Sequence, residues 1–167
     1  MAWTAYRALR IHEAAHAVIA HHLGAKVFGI SPEDDGGARA WVAPVDHRTG
    51  IIISLAGARA EQHYGDLENR PEVPWTHPST GSQHDEQLAR DHAYALCGDS
   101  TVAVEELIAG LRSEAETIVN DSSVWTVIER VADAVPASGK LMGWDLFNVM
   151  DPKHNPFVRN PEDEGPN

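Results

Sequence analysis

Apolar residues recur every three or four positions near the start of the chain, the spacing of one face of an α-helix. The pattern predicts a first long helix over residues 4–23, because Gly24 supplies a C-terminal stop directly after it. The apolar stripe of this helix consists of Ala8, Ile11, Ala15, Val18, Ile19 and Leu23. A helix with such a stripe packs against a core, where polar side chains need partners.

Two short stretches after this helix have the composition and alternation of strands. Residues 25–30 and 38–45 are predicted to pair as a β-ribbon, separated by an acidic, turn-rich break over residues 32–37. Pro44 places the second strand at an edge or ends it, because proline cannot donate to a ladder. A two-stranded ribbon alone is marginal, so we expect it to pack on helices.

Helical periodicity dominates the rest of the chain. Further helices are predicted over residues 49–64, 82–96, 101–120, 123–134 and 143–150. The Ala-Gly-Ala run centred on Gly57 would let another helix approach the first of these closely. Ser82 and Asp85 have the spacing of an N-cap and an N3 residue, close to a capping box. Residues 66–79 contain three prolines and are predicted to form a loop.

The fold class that follows is mostly α with a small β-ribbon. A length of 167 residues suits one domain with a real core, which we place at residues 1–150. Residues 151–167 are rich in proline and charge, and we expect them to be a disordered tail.

Charge and cysteine content restrict the class of protein further. Thirteen Lys and Arg against 25 Asp and Glu give a net charge of −12, which disfavours nucleic acid and anionic membranes as partners. The single cysteine, Cys97, excludes an intramolecular disulfide and fits a reducing compartment. No stretch approaches the roughly 20 apolar residues of a membrane span, and residues 1–10 lack a signal-peptide core. We therefore expect a cytoplasmic protein.

The first predicted helix carries the pattern H-E-x-x-H at His12, Glu13 and His16. Two imidazoles four residues apart lie about 40° apart around a helix axis, so both can reach one zinc ion. The adjacent glutamate can then take a proton from a metal-bound water. This is the core of a zinc hydrolase, usually a peptidase, although two His and one Glu at these offsets also recur by chance on solvated helix faces.

A catalytic zinc site usually has three protein ligands, and several residues compete for the third place. His22 has the spacing of a metzincin ligand, but Ile19 stands where that pattern needs a glycine to break the helix. On an unbroken helix His22 is rotated about 240° from His16. Glu61 could ligate directly or could orient a ligand His through its free N–H. Asp85 is the third candidate. His84, Asp91 and His92 lie near Asp85 in the sequence and also remain open as the third ligand. His92 could instead hydrogen-bond to a ligand.

Three separated blocks of this sequence resemble the peptidase domain of the FtsH-type ATP-dependent zinc proteases. Residues 12–17, H-E-A-A-H-A, are similar to the H-E-A-G-H-A of that family, with Ala15 in place of glycine. Residues 55–61, L-A-G-A-R-A-E, are similar to its L-A-G-R-A-A-E, and residues 80–85, T-G-S-Q-H-D, to its T-G-A-x-N-D. The resemblance covers residues 5–150 in the same order and with similar spacing; a weaker likeness to L-x-G-x-E-L lies near residues 138–146.

The resemblance implies an identity for the third ligand. In that family the aspartate of the third block completes the zinc site, and this position is Asp85 here. The resemblance also implies a mostly helical fold in which a strand edge beside the zinc holds an extended substrate, here the strand at residues 38–45. The family's ATPase module is not recognisable, because the sequence has no G-x-x-x-x-G-K-[ST]. A separate ATPase could then deliver substrates, and the family's hexameric state need not apply.

The sequence therefore predicts a zinc metalloendopeptidase that acts on flexible peptides or unfolded proteins without its own ATP hydrolysis. His12, His16 and Asp85 would bind Zn²⁺, Glu13 would act as the general base, and Glu61 would orient a ligand His. One alternative is a catalytically inactive, zinc-stabilised module that binds extended peptides. Another is a metal-free helical interaction protein.

Overall fold

Six helices and three short strands make up the fold in a computed structural model, which describes residues 5–31, 39–68, 80–136 and 139–154. In chain order the elements are α1 (Ala5–His22), β1 (Val27–Ser31), β2 (Arg39–Val42), α2 (His47–Leu67), α3 (Thr80–Cys97), α4 (Thr101–Val119), α5 (Ser122–Ala134), β3 (Leu141–Met142) and α6 (Gly143–Met150). The predicted class, mostly α with a small β-ribbon, is confirmed. Among the described residues, no helix combines the length and apolar character needed to cross a bilayer.

Short polar side chains set the starts of three helices. The Asp46 carboxylate accepts the backbone N–H of Thr49 at 3.0 Å at the start of α2, and Asp121 accepts two backbone N–H groups at the start of α5. Ser100 caps α4 through its hydroxyl oxygen. Such caps satisfy N–H groups that have no partner within the helix, so they define where each helix begins.

The predicted capping role of Ser82 and Asp85 is wrong. The helix α3 already begins at Thr80, so Ser82 lies within its first turn and cannot be its N-cap. The Asp85 carboxylate contacts α1 instead of the backbone of its own helix. Most of the predicted loop over residues 66–79 and all of residues 155–167 lie outside the described residues, whereas Leu67 still belongs to α2.

Helix α2 is the central element of the core. It packs against α1, α3 and α4, and α1 also packs against α5. The largest fully buried apolar side chains are Ile11, Ile19, Ile30, Ile51, Ile52, Ile128, Leu146, Val104, Val119, Val131 and Val135. Each buried side chain of this size contributes roughly 1.5–3 kcal/mol through removal of apolar surface from water. Burial on both faces of α2 thus fixes its position relative to α1 and α3.

The sheet is antiparallel, with strand order β2-β1-β3. The predicted ribbon is present as β1 and β2, but the two-residue strand β3 was not predicted, because it is too short to show alternation. Ile30 in β1 is buried and pairs with Ala40 on one side and Leu141 on the other. Both β1 and β2 contact α1, so the sheet lies beside the helix that carries H-E-x-x-H.

Candidate metal centre

Helix α1 presents His12 and His16 together inside the protein. Their ring centroids are 4.7 Å apart, with the planes at 75°. His12 is 1% exposed and His16 is 7% exposed. Two imidazoles one turn apart share a helix face, and burial of that face against α2 removes both from solvent. Both side chains therefore need polar partners within the protein.

Asp85 reaches the same point from α3. Its Oδ2 atom lies 2.9 Å from Nε2 of His12 and 3.2 Å from Nε2 of His16. Asp85 follows His12 by 73 positions and His16 by 69, so only the packing of α1, α2 and α3 brings it to the two histidines. Two imidazole nitrogens and one carboxylate oxygen thus converge on a single small volume.

Helix α2 holds the far side of both rings. Nδ1–H of His16 donates a hydrogen bond of 2.7 Å to the backbone oxygen of Ile53. Nδ1 of His12 lies 2.8 Å from Oε1 of Glu61, although its N–H does not point straight at that oxygen. A proton held on Nδ1 leaves Nε2 as the nitrogen that can ligate, so these partners orient both rings toward Asp85.

Gly57 in α2 lies directly against the two nitrogens. A Cβ atom at this position would be 2.5 Å from Nε2 of His12 and 2.6 Å from Nε2 of His16, closer than a real Cβ comes to any atom. The Ala-Gly-Ala run predicted close approach of another helix, and α1 is the helix that approaches. Only the absence of a side chain at residue 57 lets the two rings lie this close to α2.

The charges of the cluster are strongly coupled in the metal-free protein. Burial disfavours the charged form of His12, but its contacts with Asp85 and Glu61 outweigh this and raise its pKa to about 10. Burial also opposes ionisation of Asp85, yet contacts with the two histidines hold the pKa of its carboxyl well below the ordinary value. The metal-free cluster is therefore held together by an imidazolium and a carboxylate.

Glu13 lies beside the cluster on α1 and is 4% exposed. Burial raises the pKa of its carboxyl, and the neighbouring carboxylates of Asp85 and Glu61 act in the same direction, whereas His16 and His12 oppose the shift. A buried carboxylate whose proton affinity is increased is a better proton acceptor near neutral pH than an exposed one.

The other candidate ligands lie elsewhere. His22, at the end of α1, is exposed, as are His84 and Asp91 in α3. His92 does not support the cluster, because its Nδ1 lies 2.9 Å from Nδ1 of His47 at the start of α2. Among the described residues, the group of His, Cys, Asp and Glu side chains that could hold a metal ion consists of His12, His16 and Asp85.

The geometry of these three residues fits a small metal ion. A tetrahedral ion with bonds of 2.0–2.2 Å places its ligand atoms about 3.3 Å apart. The Nε2–Oδ2 separations of 2.9 and 3.2 Å are close to this value, so small shifts would admit an ion. The group could therefore hold a metal ion with three protein ligands.

Two contributors to the site did not emerge from the sequence. The role of Gly57 beside the imidazoles depends on the distance between α1 and α2, which no spacing in the sequence reports. The carbonyl of Ile53 acts through the backbone, so the residue type at that position carries no signal. No protein-family model, curated protein or solved structure matches the chain.

Proposed function

We propose that this protein is a zinc-dependent endopeptidase that cleaves flexible or unfolded polypeptides. In this proposal His12, His16 and Asp85 bind the zinc ion, Glu13 is the general base and Glu61 orients His12. The observation that carries the proposal is the convergence of two buried imidazole nitrogens and a carboxylate oxygen, with a buried glutamate next to the first histidine. The sequence resemblance to the FtsH-type peptidase domain supports the same assignment.

The donor set favours zinc over other divalent ions. Two imidazoles suit borderline-soft ions such as Zn²⁺, whereas Mg²⁺ and Ca²⁺ are bound by oxygen ligands. Three protein ligands are typical of catalytic zinc sites, whereas structural sites normally close all four positions with protein. When bound, zinc supplies Lewis acidity that polarises a carbonyl and acidifies a water molecule.

Glu13 moves the proton in the proposed reaction. Its carboxylate accepts a proton from the water that attacks the scissile carbonyl, so a C–O bond forms without free hydroxide. The same carboxyl then gives this proton to the amide nitrogen as the C–N bond breaks, and the amine leaves neutral. Burial of Glu13 suits both steps, because a raised proton affinity helps it to take the proton and its place beside the ligands keeps it near the reacting atoms.

The sheet offers a way to hold an extended substrate. In the strand order β2-β1-β3, β2 is an edge strand and contacts α1, the helix that carries Glu13. A peptide could add to this edge through backbone hydrogen bonds, which select extended conformation rather than sequence. We therefore propose that substrates are flexible segments, presented alone or by a separate ATPase.

The decisive experiment replaces Glu13 by glutamine, which has the same shape but cannot accept the proton. We expect Glu13→Gln to retain one zinc per chain and to lose at least about 100-fold in the rate of cleaving an unfolded, fluorescently labelled protein, given the usual size of acid–base catalysis. A zinc-loaded Glu13→Gln protein that cleaves at the wild-type rate would refute the proposal. Zinc without turnover in the wild type would instead favour the peptide-binding module.

A further inference from the structure

The side of α2 that faces α1 has no side chain at the point where the imidazoles converge. The three atoms nearest to a Cβ built on Gly57 are Nε2 and Cδ2 of His12 and Nε2 of His16, all within 2.6 Å. That Cβ position is almost equally far from both nitrogens. A methyl group there would overlap the Nε2–Cδ2 edge of the His12 ring and the Nε2 atom of His16.

We infer that Gly57 is a positioning residue whose missing side chain allows both imidazoles to lie where they can bind a metal ion together with Asp85. This inference rests on the proposed zinc centre and adds a requirement to it, namely that residue 57 carries no side chain. A methyl group at these distances cannot coexist with both rings in their present positions. An alanine at position 57 would therefore displace the rings and disturb the arrangement of the three donor atoms.

The imidazoles cannot swing away from such a methyl group without losing other contacts. His16 is held by its hydrogen bond to the Ile53 carbonyl, and His12 is held between Glu61 and Asp85. Both rings are buried, so a rotated ring would leave polar nitrogens without partners. Accommodating the methyl group would therefore move the two imidazoles out of the arrangement that an ion requires.

Gly50 in the same helix provides a matched control. A Cβ at Gly50 would lie 2.6 Å from Nε2 of His92, so the crowding involves the same ring type at nearly the same distance. His92 is outside the ligand group. Gly110 in α4 provides the opposite control, because a Cβ there meets nothing within 4 Å. Alanine at Gly110 should only raise helix propensity, by up to about 1 kcal/mol relative to glycine.

The test compares zinc content after dialysis in the wild type, Gly57→Ala, Gly50→Ala and Gly110→Ala, with helix content measured by circular dichroism. We expect about one zinc per chain in the wild type and both controls. Folded Gly57→Ala should hold less than a tenth of that, with at least 100-fold weaker affinity in competition with a chromophoric chelator. Gly57→Ala that binds zinc within threefold of the wild-type affinity would overturn the inference while leaving the proposed function intact.

Two further outcomes are distinguishable. Absence of zinc from the wild type would remove the proposed function, and the inference with it. If Gly57→Ala does not fold, the same substitution is placed in His12→Ala/His16→Ala, where the rings that it would meet are gone. In that background we expect Gly57→Ala to leave the free energy of unfolding unchanged or to raise it. A loss of stability as large as in the wild-type background would show that the crowding involves other atoms and would overturn the inference.

Discussion

At the scale of single residues, each imidazole of the candidate site has a polar partner close to both of its nitrogens. Nδ1 of His16 donates to a backbone carbonyl and Nδ1 of His12 faces Glu61, while both Nε2 atoms face Asp85. A ring held in this way does not have to give up rotational freedom when an ion binds. The contacts behind the ligands thus prepare the site for an ion.

Glu61→Gln should weaken zinc binding without removing the site. The amide keeps the shape of the side chain but loses the charge that favours donation from Nδ1–H of His12. We expect affinity for zinc to fall about 10- to 100-fold, as for other partners of ligand histidines. Competition with a chromophoric chelator measures this, with Gln62→Glu, a substitution at the next position of α2, as a control. If Glu61→Gln binds zinc with wild-type affinity, the Glu61 carboxylate is not needed to orient His12.

The metal-free cluster should give a characteristic pH dependence of stability. The raised pKa of His12 contributes stability that is complete below about pH 6.5 and is lost as the pH rises toward 10. The lowered pKa of Asp85 contributes stability that is complete above about pH 4 and is lost as the pH falls further. In chelator, the excess melting temperature of the wild type over Asp85→Asn should therefore be largest between about pH 4 and 6.5.

The stabilisation by added zinc should increase with pH, whereas the stabilisation by the metal-free cluster decreases above about pH 6.5. Ligand imidazoles must lose their protons before they bind zinc, so the rise in melting temperature on adding zinc should increase from pH 5.5 to 8. Thermal unfolding with zinc and with chelator, at the same series of pH values, measures both effects. A zinc-induced rise that is constant or falls over this range would be inconsistent with histidine ligands.

The sequence predicts the two histidines of this site from local geometry, but not the residues that other helices bring to them. His12 and His16 follow from local helix geometry, because their spacing alone places them on one face. Asp85 depends on how α3 packs beside α1, and only a resemblance to another family pointed to it; its local pattern suggested a cap instead. The Ala-Gly-Ala run indicated that a helix could approach at Gly57, but not that two imidazoles would lie there, and the Ile53 carbonyl has no local signature.

At the scale of secondary structure, α2 organises the centre although it supplies none of the three ligands. It contributes Glu61, the Ile53 carbonyl and the bare backbone at Gly57, and it packs against both α1 and α3. Its position is set by isoleucines buried on several of its sides, among them Ile51 and Ile52. Packing of α2 therefore determines both the stability of the fold and the geometry of the site.

Truncation of the α2 core should destabilise the whole fold. Ile52 is fully buried, so Ile52→Ala removes apolar contacts and leaves a cavity. We expect the free energy of unfolding to fall by about 2–5 kcal/mol, measured by urea denaturation in chelator. Val102 in α4 is 70% exposed, and Val102→Ala should change the free energy of unfolding by less than about 0.5 kcal/mol. Equal effects of the two substitutions would be evidence against this packing of α2.

The helices were predictable because their apolar stripes are long and are ended by glycine, proline or capping residues. The helix over residues 143–150 was predicted with the bounds that α6 has. Strand β3 was not, since two residues cannot show a period of two, and its place beside β1 depends on tertiary contacts. Helix α2 extends past the predicted end at residue 64, to Leu67, where the following sequence weakened the helical pattern.

At the scale of the whole molecule, the helical core and the candidate metal site share the same interface. The three candidate ligands lie between α1 and α3 with α2 behind them, so binding of an ion there would stabilise the same arrangement as tertiary packing. Binding of an ion to the folded state alone raises the stability of that state by mass action. The net charge of −12 also favours a divalent cation over anionic ligands at long range.

The most direct test of the metal centre is the zinc content of the purified protein beside two aspartate variants of α3. Asp85→Ala removes the proposed third ligand, whereas Asp91→Ala removes an exposed carboxylate that accepts a hydrogen bond from Gln87. We expect about one zinc per chain in the wild type and in Asp91→Ala, and nearly none in Asp85→Ala. Equal zinc in all three proteins, or zinc in none of them, would contradict a centre built from His12, His16 and Asp85.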